Sequence, residues 1–177
     1  TLAVASNVAN VLAQEGRLAE AERMHRGTLE ARQRVLGAKH PRAMATACNL
    51  ASMLRSRGEL PEAARIQGET LEARGRVLGP EHPDTLASAC NLANVWAEQG
   101  KLPQAIGLHR GTIAARRRVL GAEHPDTLAS APSLASVVGH QGAFSEATRI
   151  LRETLEVRRR VLGAEHLDTL ASAYELG

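Results

Sequence analysis

Apolar residues recur along this chain in two alternating helical rhythms, each broken by glycine. Over 83–121, Leu86, Ala89, Leu92, Ala93 and Trp96 stand at i, i+3, i+6, i+7 and i+10, one face of a helix. Gly100 ends that helix. Leu102 and Pro103 open a second one, with proline suited to the first turn because its missing N–H is not needed there. Leu102, Ala105, Leu108, Ile113, Val119 and Leu120 carry the apolar face on to Gly121. Ala122, Glu123 and His124 make the loop, and Pro125 starts the next helix with Asp126 placed to complement its dipole. The same reading predicts first helices near 1–15, 41–57, 83–99 and 125–141, with a stub at 167–176. It predicts second helices near 18–36, 60–78, 102–120 and 144–162. No segment keeps a strand pattern. Alanine dominates the positions between helices, so the helices pack closely but each buries little area, and modest stability per repeat is expected.

The rhythm is itself repeated. Val35-Leu36-Gly37 returns as Val77-Leu78-Gly79, Val119-Leu120-Gly121 and Val161-Leu162-Gly163, each copy 42 residues after the last. His40, His82, His124 and His166 follow at a fixed offset; Pro41, Pro83 and Pro125 come next, and Leu167 takes that place in the fourth copy. A fixed period of this length marks a solenoid of one supersecondary unit, which offers long binding surfaces. We expect a single array over 1–177, with repeats 1–40, 41–82, 83–124 and 125–166 and a partial repeat 167–177. Thr1 aligns with Thr85 and Gly177 with Ala93, so a piece of a longer array is expected. Pro132 breaks the pattern by occupying the place of Cys48 and Cys90. It removes a backbone hydrogen bond and crowds the carbonyl of Leu128, so that helix is expected to kink or to begin late.

Charge changes the picture little. Lys and Arg number 22 against 19 Asp and Glu, for a net +3, and only Lys39 and Lys101 of the bases are lysine. A nucleic-acid module would be more lopsided and would carry stacking aromatics, whereas this chain has Phe144, Trp96 and Tyr174 alone. Nothing resembles a signal peptide or a membrane span. Cys48 and Cys90 lie one period apart, which places them about one helix spacing, ~8–10 Å, from each other. A disulfide needs Cα atoms within about 7 Å, so two reactive thiols in a reducing, cytoplasm-like compartment are expected.

Asn91-Leu92-Ala93, Gly100-Lys101-Leu102, Ala105 and the Arg-Val-Leu-Gly run together resemble a tetratricopeptide repeat (TPR). The longer period, with residues 118–127 joining one unit to the next, is similar to the kinesin-light-chain variety. The chain departs from that family in having Leu12, Leu54, Trp96 and Val138 where a tyrosine or another large residue is usual, and it carries no coiled-coil heptads. The resemblance implies an all-α, right-handed superhelical solenoid of antiparallel helix pairs. It also implies a non-catalytic scaffold whose first helices line a concave groove for a protein or peptide. Carried over to this sequence, the groove face is Asn7, Asn49, Asn91 and Ser133, with Asn10, Ser52, Asn94 and Ser136 beside them. An Asn amide both donates and accepts, so it can pair with a peptide backbone whatever its side chains. The same amides could instead bond within the array and set repeat spacing. Arg55 and Arg57 are the only nearby cations, and Ala45, Ala87 and Ala129 stand where a carboxylate clamp would need charge, so a tail clamp is not expected.

Two alternatives stay open beside that reading: a structural subunit of a large assembly, and a binder of an acidic surface through arginine rows. Arg32, Arg74, Arg116 and Arg158 recur on the second helices, as do Arg34, Arg76, Arg118 and Arg160. Against the second alternative, these residues end helices, where cations offset the dipole. Glu30, Glu72 and Glu156 also precede the second row by four residues, the favourable order for a helical ion pair. The loop histidines cannot converge on one ion and are expected to start helices and pack loops. Thr28, Thr70, Thr112 and Thr154 read as hydroxyls bonded one turn back. No phosphate loop, nucleophile elbow or carboxylate pair appears, so no enzyme, metal or cofactor is expected.

Overall fold

The computed structural model describes residues 2–174 and 176. Among these are nine α-helices and no strand: α1 (Leu2–Gln14), α2 (Leu18–Leu36), α3 (Pro41–Ser56), α4 (Leu60–Val77), α5 (Pro83–Glu98), α6 (Leu102–Leu120), α7 (Pro125–His140), α8 (Phe144–Leu162) and α9 (Leu167–Tyr174). Every boundary lies within about two residues of the periodicity reading, the usual scatter at helix ends. The expected first helix reaches Thr1 and the expected partial repeat reaches Gly177, both outside the described residues.

The prolines and histidines of the loops act together. Proline stands at the first position of α3, α5 and α7, and the preceding His has extended backbone. The imidazole Nδ1 of His40 then accepts the N–H of Arg42 at 3.1 Å, and His82 accepts that of Asp84 at 3.1 Å. His124 and His166 do the same for Asp126 and Asp168 at 3.2 Å. Each ring satisfies one of the N–H groups that a helix start leaves without a partner. At the other end the chain must reverse sharply into the next helix. Gly58, between α3 and α4, adopts a φ of 80°, a left-handed value that side chains with a Cβ rarely take.

The chain divides into two compact units, Thr1–Gln99 and Gly100–Gly177, with the boundary between α5 and α6. In the first unit each helix packs on the next from α1 to α5, and α3 also touches α1 and α5 directly. Its core joins Leu12, Leu50, Met53, Leu54, Ile66 and Val95. Leu50 and Leu54 retain 1% and 0% exposure, and a leucine buried so fully contributes about 1.5–3 kcal/mol. Ala21, Ala51 and Ala63 sit fully buried among them, which is how the small residues of the pattern let helices close up. In the second unit α6, α7, α8 and α9 pack in sequence, with Leu128, Leu134, Val137, Val138 and Leu155 buried.

Pro132 does not delay its helix. α7 starts on schedule at Pro125 and runs through Pro132 to His140. The carbonyl of Leu128, which Pro132 cannot serve, receives instead the Arg158 guanidinium at 3.4 Å. A donor from another helix therefore replaces part of what the proline removes.

Candidate functional site: the polar face of the first helices

Helical spacing places the candidate residues in pairs three apart, on one face of each first helix. Asn7 and Asn10 stand on α1, Asn49, Ser52 and Arg55 on α3, and Asn91 and Asn94 on α5. Because α3 touches both α1 and α5, these seven lie on three adjoining helices of the first unit. Ser133 and Ser136 stand on α7, in the second unit. Asn7, Asn10, Ser52 and Ser136 are exposed, and Asn49, Arg55, Asn91, Asn94 and Ser133 are half-buried.

What these side chains do within the array distinguishes them from their neighbours. No described residue holds Asn7, Asn10, Asn49, Asn91 or Asn94 by a side-chain hydrogen bond. The hydroxyls nearby are spent: Ser6 donates to the carbonyl of Leu2 at 3.3 Å, and Ser88 accepts from Arg74 at 2.8 Å. Arg55 pairs with Glu98 across α3 and α5 at 3.6 Å, so the face carries little net charge. Cys48 is not on this face. It is buried, 3.6 Å from both Gln67 Oε1 and Ser88 Oγ, which overturns the expectation that it is open to reagents. Neither cysteine forms a disulfide.

The first arginine row also turns out differently. Arg32, Arg74 and Arg158 are buried to 9%, 7% and 8% exposure, and Arg116 is half-buried. Each guanidinium reaches forward into the next first helix. Arg74 donates to the carbonyl of Asp84 and to Ser88 Oγ, both at 2.8 Å. Arg116 donates to the carbonyl of Asp126 at 2.8 Å and to Ser130 Oγ at 2.5 Å. Arg158 takes Asp168 at 3.0 Å and Ser172 at 2.5 Å. Arg32 takes the carbonyl of Arg42 at 3.2 Å and the Thr46 hydroxyl, and also bonds the carbonyl of Leu2 at 3.0 Å. These are clamps between successive helices, which withdraw Arg32, Arg74 and Arg158 from an acidic partner and leave Arg116 only partly open. The signal was in the sequence: Thr46, Ser88, Ser130 and Ser172 each stand 14 residues after an Arg of the row. In the second row Arg76 does pair with Glu72, but Arg160 pairs with Glu123 rather than Glu156. Thr70, Thr112 and Thr154 bond one turn back at 2.8 Å, as expected.

The second helices also bury polar residues that periodicity did not single out. His25, Gln67 and His109 share one register position, at 1%, 1% and 0% exposure, where the fourth repeat has Leu151. Both ring nitrogens of His109 and the Nδ1 of His25 have no hydrogen-bond partner. Burial pushes the His109 pKa down to about 4 and lowers that of His25, because a charged imidazole loses its water there. Across α2 and α4, Arg26 joins Glu22 at 2.8 Å and Glu62 at 2.9 Å, which holds the Glu62 carboxyl below its usual range. No group of three or more His, Cys, Asp or Glu among the described residues could hold a metal ion. Among the same residues, no helix is long and apolar enough to cross a membrane.

The sequence profile of the tetratricopeptide repeat family matches residues 1–74, 42–114 and 90–160. The chain belongs to that family. Two solved structures share its architecture across 99% of its length. Both are of a Podosopora anserina protein named for kinesin light chain, with nearly identical TPR-like repeats, one of them carrying a single substitution. They are 28% identical to this TPR chain, with TM-scores of 0.85 for the parent form and 0.87 for the substituted one, which it covers to 83% and 82%. BtubC (BKLC) from P. vanneervenii has the same fold at 18% identity and a TM-score of 0.81, over 92% of this chain and 65% of its own. No curated protein matches. The protein is thus an all-α TPR solenoid of the kinesin-light-chain-like type, and its repeats are those of a protein-interaction scaffold.

Proposed function

We propose that this TPR chain binds a protein segment along the first-helix face of its first unit, through Asn7, Asn10, Asn49, Ser52, Asn91 and Asn94. What supports the reading is one observation: five asparagine amides on three adjoining helices are wholly or partly open to solvent and unspent by the array. An amide that set repeat spacing would be engaged, as Gln67 and the clamp hydroxyls are. Unspent amides offer donors and acceptors to a main chain, and the low net charge disfavours selection by side-chain charge. Ser133 and Ser136 would extend the same chemistry onto α7. We further read the chain as non-catalytic and at home in a reducing compartment, on its fold and on thiols that form no disulfide.

The test uses peptides selected from a random display library against the intact chain. Asn49→Ala with Asn91→Ala should weaken them by roughly 0.5–1.5 kcal/mol per lost hydrogen bond, with an unchanged melting temperature. If the double variant instead melts lower and binds as before, the amides hold the scaffold and the reading fails. The structural-subunit alternative predicts that no short peptide is selected at all.

A further inference from the structure

Two matching concavities lie between successive second helices, floored by residues of the first helix between them. One, of about 440 Å³, opens between α2 and α4 over Met44, Leu50 and Ile66. The other, of about 520 Å³, opens between α6 and α8 over Ile113, Leu128, Leu134 and Ile150. They occupy the same register two periods apart, and both have the ~300–1,000 Å³ size of ligand clefts. Their charges differ in a way that matters. Five charged residues line the second groove. Arg110 is paired with Glu146 and Arg149 with Glu153, both at 2.8 Å. Arg117 remains, exposed at the rim, with no ion pair or hydrogen bond among the described residues. In the first groove Gln33 stands in its place, and the charges left unpaired there, Glu30 and Lys39, have opposite signs.

We infer that the groove between α6 and α8 is a second docking site, for a partner protein's segment that carries an aliphatic side chain beside a carboxylate. The aliphatic group fills the apolar floor, and its burial supplies the affinity. The paired walls offer no net charge. Arg117 supplies the one uncommitted cation of this groove, whose planar fork donates two parallel bonds to a carboxylate. The site does not share a residue with the asparagine face, so either can fail without the other.

The probe is the peptide acetyl-Ala-Leu-Leu-Glu-Ala-amide, with its Gln analogue as control, titrated into the intact chain at low ionic strength. Methyl resonances of Ile113, Leu128, Ile150 and Val157 should shift. The Gln analogue should bind roughly threefold more weakly, the size of an exposed ion pair. Arg117→Gln should weaken the Glu peptide by the same factor and erase the difference between the two peptides. Arg152→Gln, an exposed arginine outside this groove, should change nothing. Unmoved floor methyls at millimolar peptide, shifts confined to the asparagine face, equal affinity for both peptides, or an equal loss with Arg152→Gln would each overturn the site.

Discussion

Two residue types carry more of this array than their pattern in sequence implies. The clamp arginines are the first. Arg74 ties α4 to α5 through two 2.8 Å bonds, and its desolvated charge is compensated only by them. Arg74→Ala should therefore destabilise the chain in urea unfolding by at least ~1.5 kcal/mol, the low end for hydrogen bonds to a charged group. Arg74→Lys should recover only part, because the lysine ammonium ends one bond short of the Nη1 that donates to both acceptors. Unchanged stability in Arg74→Ala would show that the clamp is incidental. The buried histidines are the second. His109 has its pKa pushed down to about 4, whereas an unfolded histidine titrates near ~6.5. Below ~6.5 the unfolded chain takes up the proton first, so stability is full above that pH and falls as the pH drops towards about 4. The slope is at most ~1.4 kcal/mol per pH unit for one such group, and His25 adds to it in the same direction. His109→Leu, which copies the residue at position 151, should flatten this part of the melting-temperature profile; an identical slope would mean that His109 is not the source.

At the scale of elements, the helices are legible because glycine, proline and a 3.6-residue rhythm recur at fixed places. The loop histidines are readable as helix starters for the same reason, since they precede Pro41, Pro83 and Pro125. A local rule offers a kink or a late start at Pro132; the start is not late, and the rule cannot see a donor from elsewhere. The Leu128 carbonyl is reached by Arg158, 30 residues away. The arginine rows mislead in a related way: helix-end position and local Glu residues read at once, whereas the acceptors on the next helix show only as a hydroxyl recurring 14 residues after each Arg of the first row. Cys48 shares the open face with its neighbour Asn49 only on paper, because adjacent helix positions point about 100° apart, enough to bury one and leave the other half-open. Pro132→Ala should raise stability, though by less than the ~3 kcal/mol of an unassisted interior proline, because Arg158 already serves the orphaned carbonyl. A melting temperature that does not rise would mean that the proline's fixed backbone stabilises α7 more than the missing bond weakens it.

At the scale of the whole molecule, repetition separates scaffold from surface. Residues that return each period with a partner, such as the clamp arginines and their hydroxyls, build the array. Residues that return without one, the asparagines of α1, α3 and α5, are available to something outside it. Both series recur in the sequence, and the hydrogen bonds are what separate them. The most direct measurement is therefore a nitrogen-15 spectrum of the side-chain amides of Asn49 and Asn91 during titration with a display-selected peptide. If these amides hold the partner, both NH2 pairs should shift and slow their exchange with water as the peptide saturates. Amides that stay at their free positions while the peptide saturates elsewhere would contradict the account.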